Sequence, residues 1–356
     1  MSYRTYTAPE LKAVAGKGGA VECVESDSGT ILCSEFGGRL LGLFPDRRLH
    51  NVLWVHEDPE NAFVTGSWFI GGDRLWIAPE RNFYYENPRD FDGFHVPAGI
   101  DPGNYAKTGP MTFDNRFPLL DLSKNELYEN THARRSFRQI ADPFASGLAY
   151  AGLSIEDSIS VPSPDALFCA WSITMVYTRG AAAPGTALFP VRPGGSLIEY
   201  FDPVPAERGG VEYGYGRFRI DGANVYKIAI APEDIVRENP VKAVYVSPFA
   251  TGGTYFCVIK RGSDLPRSQE GCVDIPKKEP EGRKGAIQSY NNGPGFPGPE
   301  GCDFGEIELQ MSKCVSNGAK TISRASHEVL SYAGSKQEIL SLVQKALKID
   351  AAPLLY

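Results

Sequence analysis

Residues 305–311 read Gly-Glu-Ile-Glu-Leu-Gln-Met, and this stretch decides the fold. Its side chains alternate strictly: the isoleucine, leucine and methionine point to one face, and Glu306, Glu308 and Gln310 point to the other. The apolar face predicts a strand that lies on a hydrophobic core. The other face carries two carboxylates and an amide in one row, about 7 Å apart along the strand. Such a row is typical of a cleft that binds hydroxyl groups or moves a proton; the alternative is a strand with a solvated outer face.

The composition bounds the class of protein. The chain has 356 residues, of which 42% are hydrophobic and 22% charged, as in soluble globular proteins. No linker, charge asymmetry or internal repeat divides it, so a single domain over residues 1–356 is expected. A formal net charge of −7 leaves no basic face for phosphates, which argues against a nucleic-acid partner. No signal-peptide core or bilayer-spanning run is present, and the seven cysteines form no CxxC pair; these features predict a reduced, cytoplasmic protein without a membrane partner.

Strand signals recur along the whole chain and are separated by turn-forming residues. Their number predicts an all-β fold, a large antiparallel β-sandwich. One helix is expected near the C-terminus, where Ser335 and Glu338 form a capping box ahead of an amphipathic stripe. The stretch Pro276–Gly301, rich in Gly, Pro, Lys and Glu, is expected to be a long loop. The clearest strand segments are Thr30–Phe36, Gly152–Val161, Leu167–Tyr177, Gly216–Ile220, Lys242–Ser247, Thr254–Lys260 and Glu306–Met311.

A second motif, Gly-Gly-Asp-Arg-Leu-Trp-Ile-Ala-Pro-Glu at residues 71–80, is dense in groups that bind ligands. Arginine forks onto paired oxygens, and tryptophan offers a flat face to the C–H side of a sugar ring. The alternative is a structural Arg–Asp pair beneath an aromatic cluster. The candidate substrate-binding residues from this region are Asp73, Arg74, Trp76, Glu80 and Tyr84.

The chain has five histidines, and one of them stands out as a titrating candidate. His95 follows the arginine motif in a loop bounded by Gly and Pro, and His56, beside an acidic residue, is the second choice. His327 is expected on the outer face of a late strand. No third ligand accompanies His50 and His56, and no nucleotide or metalloprotease motif occurs, so neither a metal nor a cofactor is predicted.

Several segments, in order, resemble motifs of the galactose mutarotase-like superfamily. Residues 36–43 resemble its early strand pair, and Gly71–Trp76 resembles the glycine-arginine motif that contacts sugar hydroxyls in aldose 1-epimerases. Glu308-Leu309-Gln310 resembles the late Glu-x-Gln segment, and His95 falls where those enzymes place their first active-site His. The full motif at 71–80, with Ala-Trp-Ser-Ile-Thr at 170–174, is most similar to uncharacterised branches of the superfamily.

The resemblance implies a very large β-sandwich that binds a sugar or oligosaccharide and catalyses acid/base chemistry at its anomeric centre. Glu308 corresponds to the family's general base, and His95 is the candidate acid. Trp171, Glu306 and Gln310 are further candidate sugar contacts. One departure is clear: mutarotases carry an Asn-His pair in the central strand, whose His is the general acid, whereas this chain has Trp171-Ser172 there.

Four functions therefore stay open at this point. They are an aldose 1-epimerase-like isomerase, a sugar-binding protein without turnover, a glycoside hydrolase or lyase with paired carboxylates, and a structural β-sandwich that acts through protein contacts. The sequence does not specify the sugar or the oligomeric state.

Overall fold

The quoted stretch forms the strand Phe304–Gln310, whose residues are all buried, in the interior of a nine-stranded antiparallel sheet. The structure, a computed structural model, describes residues 5–236, 240–250, 252–294 and 304–356. Strands are numbered in chain order. Within the described residues, the first sheet runs from edge to edge as β1 (Val21–Glu25), β2 (Thr30–Ser34), β3 (Arg39–Phe44), β4 (Asp73–Ala78), β11 (Cys169–Tyr177), β20 (Phe304–Gln310), β19 (Ile287–Asn291), β16 (Tyr226–Ile230) and β13 (Leu197–Glu199).

The second sheet packs face to face on the first, and one hydrophobic core contains residues of both. A short hairpin of β5 (Tyr85–Asn87) and β6 (Asp92–Phe94) stands apart from the two sheets. In spatial order, the described strands of the second sheet are β14 (Gly209–Glu212), β15 (Tyr215–Ile220), β12 (Gly185–Phe189), β17 (Val241–Pro248), β18 (Thr254–Gly262), β22 (Thr321–Ser335), β10 (Ala149–Val161), β9 (Glu126–Gln139), β8 (Thr112–Asp121) and β7 (Ala106–Gly109), with β21 (Val315–Ser316) paired to β22.

Helices cover parts of the outer faces of both sheets. Leu11 of α1 and Phe63 of α2 pack on Leu32 and Leu41, which lie on the outer face of β2 and β3. Leu342 and its neighbours in α4 pack on the outer face of the second sheet. No helix in the described ranges is long and apolar enough to cross a membrane. The described helices are α1 (Ala8–Ala15), α2 (Pro59–Thr65), α3 (Glu80–Tyr84) and α4 (Lys336–Leu347).

The predicted antiparallel β-sandwich with a C-terminal helix is confirmed. The capping box forms as expected, since Ser335 Oγ accepts from the Glu338 backbone N–H and Glu338 Oε2 accepts from the Ser335 backbone N–H. Three shorter helices were not predicted, because each spans eight residues or fewer. The expected loop Pro276–Gly301 contains strand β19, and its residues 295–301 lie outside the described residues.

Five ionisable side chains form a cluster between the two sheets, which we call the interior ion cluster: Asp73, Arg135, Asp157, Lys260 and His327. Each is at most 3% exposed. Arg135 bridges Asp73 at 2.7 Å and Asp157 at 2.8 Å, and Lys260 Nζ donates to Asp73 Oδ2 at 2.7 Å. His327 Nε2 lies 3.0 Å from Asp157 Oδ2, so the prediction that His327 lies on an outer face is wrong. Buried charges are tolerated when they are paired in this way.

Candidate functional site

A cavity of about 510 Å³ opens on the outer face of the first sheet, beyond the part that α1 and α2 cover. Strand register brings its polar side chains together, because residues opposite one another in an antiparallel pair share a face. Trp76 lies opposite Trp171, and Glu306 lies opposite Tyr290, which lies opposite Lys227. These five residues come from five strands and all line the cavity.

The remainder of the cavity wall is mainly aromatic. The β5–β6 hairpin closes one side, and the segments around residues 68–69, 201–202 and 277–278 close the others. Aromatic walls with a few convergent polar groups are typical of small-molecule sites. The aromatic residues that line the cavity are Trp68, Phe69, Trp76, Tyr85, Phe91, Phe94, Trp171, Phe201, Tyr290 and Phe304.

Two glycines position the arginine motif. Gly71 and Gly72 have positive φ angles of 101° and 79°, which L side chains rarely adopt. An added Cβ would collide with the Trp54 carbonyl oxygen at Gly71 and with the Leu40 carbonyl oxygen at Gly72. The two glycines therefore allow a close approach to the protein's own backbone. It lets the chain enter β4 with Arg74 directed to the cavity.

Arg74 is the candidate ligand-binding residue whose surroundings are best defined. Its Nη2 donates to Glu306 Oε1 at 2.8 Å, and its guanidinium lies 4.1 Å from the centre of the Trp76 ring. Nε and Nη1 of Arg74 are buried and have no hydrogen-bond partner among the described residues. Buried polar groups in native proteins are almost always hydrogen-bonded, so two free donors in a cavity indicate a place for ligand oxygens.

Two carboxyl groups on the cavity wall have altered acidity. Burial raises the pKa of Glu306 to about 7, although Arg74 opposes the rise. Burial also raises the pKa of Glu80, and Lys227, whose Nζ lies 3.6 Å from Glu80 Oε2, opposes it. Burial lowers the pKa of Lys227, but Glu308, Glu80 and other nearby carboxylates outweigh burial and raise it overall. Lys227 therefore remains a fixed positive charge at neutral pH.

Glu308 lies on the same face of β20 as Glu306, but cavity-lining side chains cover it. It is fully buried, and its Oε2 accepts from Trp171 Nε1 at 2.8 Å and lies 3.3 Å from Lys227 Nζ. Its Oε1 has no hydrogen-bond partner among the described residues. Trp171 and Lys227 both line the cavity, whereas the residues described as lining it do not include Glu308. Glu308 therefore fixes the positions of two cavity-lining side chains, Trp171 and Lys227, by contacts below the cavity surface.

The other predicted site residues either line the cavity or are buried behind its wall. Trp76, which donates from Nε1 to Asp101 at 2.7 Å, lines the cavity together with Glu80 and Trp171. Tyr84 is fully buried and stacks on Trp76, with ring centres 4.6 Å apart, so it supports the wall from behind. Gln310 is 2% exposed and accepts from the Cys169 thiol at 3.2 Å.

Two predicted residues lie away from the cavity. Asp73 points to the opposite face of β4 and belongs to the interior ion cluster, so it is not available to a ligand. His95 follows the β5–β6 hairpin, and its Nδ1 lies 3.3 Å from the Gly93 carbonyl oxygen. Gly93 and Phe94 line the cavity, but among the described lining residues His95 does not appear. Neither residue enters the proposals below.

Several residues that line the cavity are not among those predicted from the sequence. Lys227 is a cavity cation that lies 4.4 Å from the centre of the Trp171 ring, and Lys277 and Lys278 form part of the rim. One signal was available for Lys227: the strand Tyr226–Ile230 places a lysine among apolar residues. No comparable signal linked Phe201 to the site, because only the tertiary fold brings it there.

Titration of Glu306 predicts a pH-dependent stability. Its pKa is about 7 in the folded chain and 4.5 as an ordinary value, so the folded state binds more protons between these pH values. The free energy of unfolding is therefore expected to fall as the pH rises from about 4.5 to about 7. Urea unfolding at several pH values measures this slope, and Glu306→Gln should make it shallower. The exposed Glu129→Gln should keep the wild-type slope; equal slopes in all three proteins would contradict the assignment.

No protein-family model and no curated protein matches the chain. Solved structures similar to it include a galactose mutarotase-like protein from Lactobacillus casei ATCC 334 (10% identity, 87% of this chain and 100% of that chain covered, TM-score 0.47). A second is the galactose mutarotase related enzyme from Lactobacillus acidophilus (8% identity, 89% of this chain and 98% of that chain covered, TM-score 0.45). A third is galactose 1-epimerase from Lactobacillus acidophilus NCFM (10% identity, 88% of this chain and 93% of that chain covered, TM-score 0.39). The superfamily that the sequence motifs resemble is thus represented among these structures. At such identities the similarity concerns the fold alone, and residue roles rest on the geometry of this chain.

Proposed function

We propose that the chain binds a carbohydrate in the aromatic-walled cavity and transfers protons at its anomeric centre, as an aldose 1-epimerase-like isomerase. The observation that carries this proposal is the Arg74–Glu306 pair. Arg74 offers two buried donors without partners, and the carboxyl beside it has a pKa of about 7. A proton-exchanging carboxyl next to free donors suits a polyhydroxylated ligand with a reactive hydroxyl.

The walls suit a sugar ring for a second reason. A pyranose has apolar C–H faces and a polar rim of hydroxyls, and Phe201 offers a flat apolar surface for one of those faces. Arg74 and Lys227 donate to hydroxyl oxygens, while Glu80 accepts from hydroxyl groups. The cavity volume of about 510 Å³ is ordinary for a small-molecule site.

Ring opening of an aldopyranose requires a base for the anomeric hydroxyl proton and an acid for the ring oxygen. Glu306, whose pKa is about 7, is partly protonated near neutral pH, and its protonated form acts as the acid. Glu80 acts as the base, because burial raises its pKa and so makes its carboxylate more basic, while Lys227 at 3.6 Å favours that carboxylate form. The anomeric proton passes to Glu80, the bond between the anomeric carbon and the ring oxygen breaks, and Glu306 protonates that oxygen. Ring closure on the other face of the carbonyl reverses both transfers.

Glu308 is a positioning residue in this proposal. It accepts from Trp171 Nε1 and pairs with Lys227, so it orients one aromatic wall residue and one cation at the same time. The role of general base, which the family resemblance suggests for Glu308, would require Trp171 or Lys227 to move aside. The variants in the Discussion separate the two roles.

Arg74 provides the test of ligand binding. Arg74→Ala is expected to weaken sugar binding by about 10- to 100-fold, because a hydrogen bond to a charged group contributes about 1.5–3 kcal/mol. Arg74→Lys keeps the positive charge but cannot donate two parallel hydrogen bonds. Its Kd should therefore lie between those of the wild type and Arg74→Ala. Saturation-transfer NMR against mixed mono- and oligosaccharides identifies a ligand, and calorimetry then measures its Kd.

Arg116→Ala, at an exposed position on β8, is the matched control and should keep the wild-type Kd. An unchanged Kd in Arg74→Ala would remove Arg74 from the site. A second candidate, sugar binding without turnover, is favoured by one observation: no histidine is among the described residues that line the cavity. Binding without faster anomer exchange would establish that candidate.

A further inference from the structure

A second concavity of about 630 Å³ adjoins the cavity, and we call it the edge groove. Phe201 and Lys278 line both hollows, so the two share a wall. The groove continues past Phe201 over the edge strand β13 of the first sheet. Its apolar surface comes from Leu197, Val204 and Val211.

The edge groove lies where the edges of the two sheets meet. In the described part of the chain, β13 pairs only with β16, and β14 pairs only with β15. Both strands contribute residues to the groove and contact each other. An edge strand presents backbone N–H and C=O groups without ladder partners. The groove therefore combines apolar side chains with backbone donors and acceptors, which is the surface that a hydroxyl-bearing chain requires.

Three of the four charged side chains that line the groove already have partners within the protein, and the fourth, Glu279, has none among the described residues. Lys278 pairs with Asp202, and Arg283 Nη2 lies 2.6 Å from Asp234 Oδ2 and 3.1 Å from Glu233 Oε1. Glu199 accepts from the Val204 backbone N–H at 2.7 Å. An acidic polymer would have to break these pairs, whereas a neutral chain leaves them intact.

We propose that the ligand of the cavity is a neutral oligosaccharide, whose first unit occupies the cavity and whose next units pass Phe201 into the edge groove. This inference rests on the proposed function of the cavity and names its substrate class. Phe201, on the shared wall, provides a flat surface at the junction between the first and second units. Free monosaccharides fill only the cavity and bind more weakly.

Gly209 allows the groove to be blocked without changing the cavity. It lines the groove, its φ lies outside the left-handed region, and an added Cβ there would lie 3.2 Å from Val204 Cγ1 and 3.5 Å from Leu197 Cδ1 on the apolar wall. Gly209→Leu therefore fills the space beside those two side chains. Gly252 is the matched control, because an added Cβ there meets no atom within 4 Å and it lines neither hollow.

The experiment compares glucose and galactose with neutral trisaccharides of each by calorimetry, using maltotriose, cellotriose and β-1,4-galactotriose. For the wild type, the Kd of at least one trisaccharide is expected to be lower than that of its monosaccharide by about 10-fold or more, because the further sugar units make additional contacts in the groove. Gly209→Leu should abolish that advantage and leave the monosaccharide Kd unchanged, and Gly252→Leu should change neither. Gly209→Ala should remove part of the advantage.

Saturation-transfer NMR on the wild-type protein supplies a readout that needs no variant. Protons of the second and third sugar units should receive saturation along with those of the first. Equal affinity for mono- and trisaccharides, signals from the first unit alone, or an intact advantage in Gly209→Leu would each overturn the groove assignment. Failure of the proposed function looks different, because then no saccharide binds or Arg74→Ala leaves every Kd unchanged.

Discussion

Lys260→Met is expected to lower the free energy of unfolding by about 3–5 kcal/mol, the cost of removing one partner from a buried ion pair. Lys260 Nζ donates to Asp73 Oδ2 at 2.7 Å, to Ser172 Oγ at 2.7 Å and to Thr174 Oγ1 at 2.8 Å. All three protons of the ammonium are therefore used. Methionine matches the length of the side chain but removes every donor, so Asp73 retains Arg135 as its only described cationic partner.

Urea unfolding monitored by fluorescence measures this loss. Lys320→Met, at an exposed position, is the control and should stay within about 0.5 kcal/mol of wild type. The double variant Asp73→Asn/Lys260→Met should lose less than the sum of the two single losses, because the two partners act on each other. Additive losses, or a Lys260→Met protein as stable as wild type, would show that the interior ion cluster is not coupled in this way.

Glu306→Gln is expected to slow catalysed anomer exchange by about 10²- to 10⁴-fold, the usual contribution of one general acid or base. The amide keeps the shape and still accepts from Arg74, so the sugar Kd should change much less than the rate. Since only the protonated carboxyl can act as the acid in ring opening, the wild-type rate should fall as the pH rises through about 7.

Glu308→Gln separates positioning from direct proton transfer. If Glu308 holds Trp171 and Lys227 from beneath, its amide variant should lose less rate than Glu306→Gln and should shift the indole resonance of Trp171. Glu129→Gln, on the surface, should exchange at the wild-type rate. A Glu308→Gln protein without turnover beside an active Glu306→Gln protein would assign the base to Glu308 instead.

The alternation of residues 305–311 was sufficient to predict the strand, its buried face and the row of polar side chains opposite. The same rule, applied to Asp73 and Arg74, shows that the two neighbours cannot face one cavity, because successive strand residues point to opposite faces. It also applies to His327, which lies two residues from Ala325 and from Val329 and shares their inner face. The alternation rule alone is therefore enough to correct the predictions for Asp73 and His327 from the sequence.

Other features could not be predicted, because they depend on contacts between distant segments. Lys227 reaches Glu308 only because β16 and β20 flank β19 in the folded sheet. The edge groove exists because β13 and β14 end their respective sheets at the same place. Strand order of this kind follows from the tertiary packing of the whole chain, and no local pattern specifies it.

Two-dimensional exchange NMR of an aldose tests the central claim most directly. With wild-type protein at neutral pH, exchange cross-peaks between the α and β anomers should build up faster than in buffer, and Glu306→Gln should return them to the uncatalysed rate. An uncatalysed rate with wild-type protein, for a sugar that saturation transfer shows to be bound, would contradict the proposed proton transfer at this cavity.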